Sequence, residues 1–357
     1  MNHPAMTPPL LTPDLPGCSG RIRTHDEDFE VDEVPSYEPS GTGDHLYLWV
    51  EKRGMAPEFF ARQIAQRLGI SPGAVGTAGL KDRHAVTRQW VSVPKECEPN
   101  VKKIDGEGVR ILKTGRHVNK LKPGHLRGNR FRILIRQPDR DKVDAVAATL
   151  DRIRTQGLPN FYGPQRFGRD GSTVDLGLKC LAGQAPRRIR PFLFRFALSA
   201  VQSLLFNDYL ARRLRDGLYR AVLEGDVMAK WPLGGMFVAK DVPAEQARFD
   251  ARETVSAGPM FGKKTYPAEV VAAEREAAVL RDNGLSIVSF GGFGKLVLGT
   301  RRHNLVYLDD LAATWETEGL RLGFTLPAGS YATVLLREIM KAAVDEPEEP
   351  AEDEDEE

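Results

Sequence analysis

Residues 129–137 read NRFRILIRQ. Phe131, Ile133 and Ile135 fall on one side of an extended chain, and Arg130, Arg132 and Arg136 on the other. This two-residue period predicts a strand that buries one apolar face and presents arginines on the other. The same alternation recurs at 320–327, LRLGFTLP, through Leu320, Leu322, Phe324 and Leu326. Other strand signals are DHLYLWVEK (44–52), QWVSVP (89–94) and NLVYLDD (304–310). In DHLYLWVEK, Leu46, Leu48 and Val50 alternate with Tyr47 and Trp49. Helical stripes appear at 57–69, 142–157 and 331–343. In the first, Pro57 opens the helix, Phe60, Ile64 and Leu68 align, and Gly69 stops it. The middle of the chain is more helical, with SAVQSLLFNDYLARRLRDG (199–217) and PAEVVAAEREAAVLRDNG (267–284). Strand-rich ends around a helical middle predict an α+β domain interrupted by an insertion. The interruption begins near NFYGPQRFG (160–168), where Gly and Pro break the regular pattern.

The bulk numbers agree with that division. A chain of 357 residues suffices for two domains. Its hydrophobic fraction, 41%, is ordinary for a globular protein, and no apolar run is long enough to cross a bilayer. The opening MNHPAMTPPLLTPDLPG reads as a Pro-rich disordered lead, not a secretion signal. Cys18, Cys97 and Cys180 are far apart and odd in number, which argues against a disulfide framework or a cysteine zinc site. A reducing cytoplasm is the expected compartment.

The net charge of +1 hides an asymmetry. Residues 345–357 carry ten acids and no base, and read as a disordered solubility tail. The remaining body carries +11, clustered. Val101 to Arg136 holds eleven Lys or Arg against two acids, and Arg187 to Arg190 read RRIR. Such density favours a polyanionic partner, because Lys and Arg contacts to phosphate supply most non-specific nucleic-acid affinity.

One acid stands out against this background. In AGLKDRHAVTRQW (78–90), Asp82 lies between Lys81 and Arg83, after Gly73, Gly76 and Gly79. The glycines do not make a phosphate loop. GAVGTAGLKD lacks the Gly-Lys-Ser/Thr ending, and FGGFGKLV has Leu296 where the hydroxyl belongs and Ser289 where the first glycine belongs. A glycosidase needs two carboxylates, and a two-metal nuclease needs several. A lone carboxylate among cations instead suits attack on a carbon, or removal of a proton from one, with the base–ribose bond of RNA as target.

Four segments in order, AGLKDRHAVTRQ, GNRFRI, NFYGPQRFG and LPAGSYATVLLRE, closely resemble the TruD family of pseudouridine synthases, and EDFEVDE (27–33) fits the same family. The resemblance runs from about Arg23 to about Met340. It implies a tRNA pseudouridine synthase that isomerises uridine, typically uridine 13 of transfer RNA, by breaking the C1′–N1 bond and joining C1′ to C5. No cofactor or metal is implied. The expected partner is transfer RNA, with other RNA as an additional candidate and no membrane; the sequence does not fix the oligomeric state, and a monomer is compatible with it.

The site residues follow by motif. Asp82 matches the family's catalytic aspartate, and Arg23 a basic residue that pairs with it, for which some relatives have Lys. Phe29 and Tyr331 match aromatics near the flipped base, where a ring face can stack on uracil; relatives carry Phe at the latter position. Asn129 and Phe131 are implied to face the site, although the strand pattern puts Phe131 with the core. Arg166 is a candidate phosphate contact. The implied fold is a catalytic domain with a mixed, largely antiparallel sheet, over 17–158 and 306–344. A family-specific insertion domain spans 159–305, with the lead at 1–16 and the acidic tail at 345–357.

Overall fold

The computed structural model describes residues 3–342; the acidic tail expected at 345–357 lies outside them. The chain divides into two compact units. A sheet unit comprises Pro16–Leu150, Leu308–Ala332 and the chain from Ile339. A helical unit comprises Met1–Leu15, Asp151–Tyr307 and Thr333–Glu338. The sequence placed its boundaries at 158/159 and 305/306; the units divide at 150/151 and 307/308, with part of the last helix grouped with the helical unit.

The sheet unit opens with β1 (Phe29–Pro35), β2 (His45–Arg53), α1 (Pro57–Leu68), β3 (Gly76–Thr77), β4 (Val86–Pro94), β5 (Val109–His117) and β6 (Leu126–Arg136), and α2 (Val143–Gln156) runs across the division at 150/151. The chain then builds β7 (Leu158–Pro159), α3 (Ser172–Leu181), α4 (Pro191–Arg215), β8 (Val227–Lys230), β9 (Met236–Val238), α5 (Val242–Asp250), β10 (Thr254–Met260), α6 (Val270–Asp282), β11 (Thr300–His303) and β12 (Leu305–Val306). It returns through β13 (Ala312–Trp315), β14 (Gly319–Pro327) and α7 (Ala332–Met340).

Eight strands form one sheet, ordered β13-β14-β6-β1-β4-β2-β5, with β3 on β4. Every pairing is antiparallel except β1 with β4, so the sheet is mixed and largely antiparallel. The register explains its two faces, since residues opposite each other across strands point the same way. Val31, Phe131 and Phe324 align across three strands, as do Phe29, Ile133 and Leu322. All six are buried. Leu46, Leu48 and Val50 of β2 continue this face through Val93, Val91 and Gln89 of β4. The other face carries the aromatic cluster of Tyr47, Trp49 and Trp90 and, beside it, a charge ladder. Arg88 bonds Asp32 (2.9 Å) and Glu51 (2.9 Å), and Arg132 bonds Glu30 (2.9 Å). The arginines of β6 are therefore not all offered to a ligand: Arg132 is paired, and Arg136 grips buried Asp28 with two 2.8 Å bonds. Arg130 stays exposed.

Three local expectations change. The lead is not loose over its described residues. Ala5 and Thr12 are buried, and Leu11 N–H (2.6 Å) and the Thr12 hydroxyl (2.7 Å) donate to the Glu338 carboxylate. A distant carboxylate takes the Leu11 and Thr12 N–H groups, while Met6, Thr7 and Leu15 bond carbonyls within the lead; the distant tie is what local composition cannot reveal. The helix read from residue 199 begins at Pro191. The strand read over 304–310 shrinks to the two residues of β12.

The helical unit packs α4 at its centre, with Leu198, Val201, Leu204 and Leu205 fully buried among Phe167, Val174, Val279 and Phe290. Among the described residues, no helix is long and apolar enough to cross a membrane.

Candidate active site

The segment between β3 and β4 carries Asp82. The Asp82 side chain is 49% exposed, and its Oδ2 lies 3.4 Å from Nη2 of Arg23. Arg23 is 6% exposed, so it is no solvated surface arginine. Its guanidinium lies 4.2 Å from the centre of the Phe29 ring, a cation–π contact, while Nη2 reaches the carboxylate. Phe29 meets Phe131 edge-on at 6.1 Å, and Phe131 stacks on Phe324 at 5.2 Å. Phe29, expected to stack on a base, is instead 1% exposed and covered by Arg23, and Phe131, expected to face the site, is buried in the core face; with Phe324 they form a buried platform.

The loop holding Asp82 is fastened from beneath by two lysines. Lys81, which adjoins the aspartate in sequence, turns inward and pairs with Glu33 at 2.9 Å, both side chains nearly inaccessible. The second Glu33 oxygen accepts from the Trp90 backbone N–H at 3.3 Å. Lys52 of β2 is fully buried. Its Nζ donates to the carbonyl oxygens of Met55 (2.6 Å), Lys81 (3.3 Å) and Asp82 (2.8 Å). Burial pushes its pKa down to about 8, against the opposing pull of Asp82. The sequence reading missed both Glu33 and Lys52. The signal was present: Glu33 follows Phe29 and Val31, and Lys52 follows Leu48 and Val50, at inward positions of the two-residue period.

Asn129 lies opposite Glu33 on β1 and Leu326 on β14. Its Oδ1 is buried without a hydrogen-bond partner among the described residues. Gly128 lets the strands close there, since a Cβ at that position would collide with the Leu326 carbonyl oxygen. Tyr331 is half-buried and follows the turn after β14. Gly329 adopts φ +82° in that turn, which favours glycine. The Ala328 N–H donates to the Arg127 carbonyl at 3.0 Å, so the turn rests on the β6 end that carries Asn129. Arg166 belongs to the helical unit, where its guanidinium bonds Ser203 (3.1 Å) and Ser199 of α4 and lies 5.0 Å from the Phe196 ring. Asp82, Arg23, Phe29 and Phe131 are joined by direct or successive contacts, while Asn129 and Tyr331 lie at the adjoining end of β6 and β14.

Comparison with known proteins decides the family. The sequence pattern described as tRNA pseudouridine synthase D (TruD) matches residues 8–187 and 182–339. The chain belongs to the TruD family. It is 44% identical to a tRNA pseudouridine synthase D of Anaeromyxobacter sp. (strain Fw109-5), covering 95% of this chain and 98% of the relative. It is also 44% identical to a tRNA pseudouridine synthase D of Thermus thermophilus, covering 93% and 92%. A solved structure from Methanosarcina mazei, named as a candidate TruD, shares the fold with a TM-score of 0.76 at 24% identity, over 96% of this chain and 97% of that one. In this TruD family member the carboxylate, its guanidinium and the aromatic platform all come from the sheet unit. Among its described residues no group of three or more His, Cys, Asp or Glu is arranged to hold a metal.

Proposed function

We propose that this chain isomerises uridine to pseudouridine in transfer RNA, at uridine 13, with Asp82 as the catalytic carboxylate and Arg23 as its counter-ion. The observation that carries the reading is the half-exposed Asp82 carboxylate facing a buried guanidinium at 3.4 Å, in a member of the TruD family. The target nucleotide leaves its stack, which costs about 2–4 kcal/mol, to bring its sugar to the carboxylate. The C1′–N1 bond then breaks, and its electron pair goes to the uracil. Two routes use the same oxygen. In one, Asp82 attacks C1′ and is later displaced by C5. In the other, it removes the 2′ proton, and C5 adds to the resulting C1′=C2′ bond with return of that proton. Both end with loss of the C5 proton and gain of a proton at N1, which restores the uracil ring. The isomerisation is redox-neutral and adds no atom, so the reaction has no step that calls for a cofactor.

Several groups support RNA as partner. Lys102, Lys103, Arg110, Lys113, Lys122 and Arg130 are exposed on the sheet unit, a density suited to phosphate. Tyr331, half-buried in the turn after β14, supplies an aromatic ring for stacking. The three cysteines are free and buried, in keeping with a reducing cytoplasm.

The test is transfer RNA incubated with the protein and mapped for pseudouridine. Wild type should modify position 13, and Asp82→Asn should bind RNA normally and form none. Unchanged product from Asp82→Asn, strand breaks or free uracil would each overturn the assignment.

A further inference from the structure

We propose that Lys52 is a positioning residue for this reaction: its buried ammonium, by holding the carbonyl oxygens of Lys81 and Asp82, fixes the direction in which the Asp82 carboxylate meets the substrate sugar. The inference rests on Asp82 being the catalytic carboxylate and goes further by assigning what aims it.

Lys52 occupies an inward position on β2, in register with Thr87 of β4 and in line with Leu46, Leu48 and Val50. Packing alone would place an apolar side chain there, since a buried charge is costly unless paired and hydrogen-bonded. An ammonium has three N–H donors, and here each finds one of three carbonyl oxygens. Two of those oxygens belong to Lys81 and Asp82.

The Asp82 loop needs such a fastener. Residues 78–85 form neither helix nor strand. With the Asp82 side chain half exposed, packing does little to orient it, so its aim is set by its backbone and by Arg23. The Lys81–Glu33 pair ties the loop at one residue, and Lys52 ties the next peptide. The charged groups facing Lys52 are Asp82, Asp26 and Glu58, which favour its protonated form, and Lys81, which opposes it. Burial outweighs them, so the ammonium is present at neutral pH and is lost as pH rises past about 8.

The experiment follows single-turnover pseudouridine formation at saturating transfer RNA. Lys52→Met should be slower by about 10²-fold, the usual cost of a reacting group misplaced by about 1 Å. RNA affinity should stay within about twofold of wild type. Lys52→Gln, which keeps two donors, should fall between the two. The ratio of wild-type to variant rate should narrow by about threefold or more between pH 7 and 9.5, because only wild type loses its ammonium there; using the ratio cancels titration of the RNA. A folded Lys52→Met at wild-type rate, or a ratio flat with pH, overturns the proposal. If Lys52→Met does not fold, the Lys52→Gln ratio carries the same test. Wild-type protein forming no pseudouridine would instead defeat the proposed function, while active wild type, silent Asp82→Asn and fast Lys52→Met would remove the role of Lys52 alone.

Discussion

Lys52 also makes a stability prediction whose sign opposes its effect on activity. Its pKa is 10.5 for an ordinary lysine and about 8 in the folded chain. Between those values the unfolded chain binds one more proton than the folded one, so stability rises with pH. The contribution is fully present above the unfolded value and is lost as pH falls through about 8. A displacement of roughly 2.5 units corresponds to about 3 kcal/mol in total. About 2 kcal/mol of this is recovered between pH 7 and 9.5, where unfolding can still be followed. Lys52→Met has no such titration. The unfolding free energy of wild type minus that of the variant should therefore climb by about 2 kcal/mol over that range. Urea titrations followed by tryptophan fluorescence would read it, since Trp49, Trp90 and Trp315 lie in the sheet unit. Subtracting the variant cancels the other titrating groups. A difference that stays flat or falls with pH would show that the Lys52 ammonium is not held in a dry site, and the argument for its three carbonyl partners would fail with it.

Two further outcomes follow from the site. Glu33→Leu leaves the Lys81 ammonium buried without its carboxylate and should destabilise the protein by about 3 kcal/mol, with most of that regained in Glu33→Leu/Lys81→Met; denaturant unfolding of both, with Lys81→Met closing the double-mutant cycle, measures this. Arg23→Lys keeps the charge but loses the guanidinium contact with Phe29, and should slow pseudouridine formation by about tenfold, whereas Arg23→Met should slow it by more than about 10²-fold, read in single-turnover assays.

Much of the fold was legible because the apolar residues keep strict time. The two-residue period of 129–137 and 320–327 marked strands that turn out to be neighbours, with Phe131 opposite Phe324. The stripe Phe60, Ile64, Leu68 gave α1 to within a residue. What stayed hidden depended on distant partners. The docking of the lead on Glu338 spans more than three hundred residues. The arginine face of β6 looked like a ligand surface because its acids, Glu30 and Asp28, come from the segment around β1. Asp82 stood out in the sequence, but its partner Arg23 was reached only through the family resemblance, because spacing pointed to the neighbours Lys81 and Arg83. Lys81, one residue away, is spent on Glu33, and the counter-ion comes from Arg23, far back in the chain.

That exchange of partners explains how a carboxylate can be open to solvent and still aimed. An exposed aspartate on a loop has many rotamers and a mobile backbone, and ion pairs in water contribute about 1 kcal/mol or less. Here the cations are the buried members. Arg23 is clamped on the Phe29–Phe131–Phe324 stack, and Lys52 and Lys81 are anchored among apolar strand positions. The order of the core is thereby passed to the loop through buried cations. Glu33 and Lys52 sit where the strand period demands apolar residues, so each departs from the local rule beside the site. Replacing either with leucine would improve the pattern of its strand and remove one of the two ties that hold Asp82 in place.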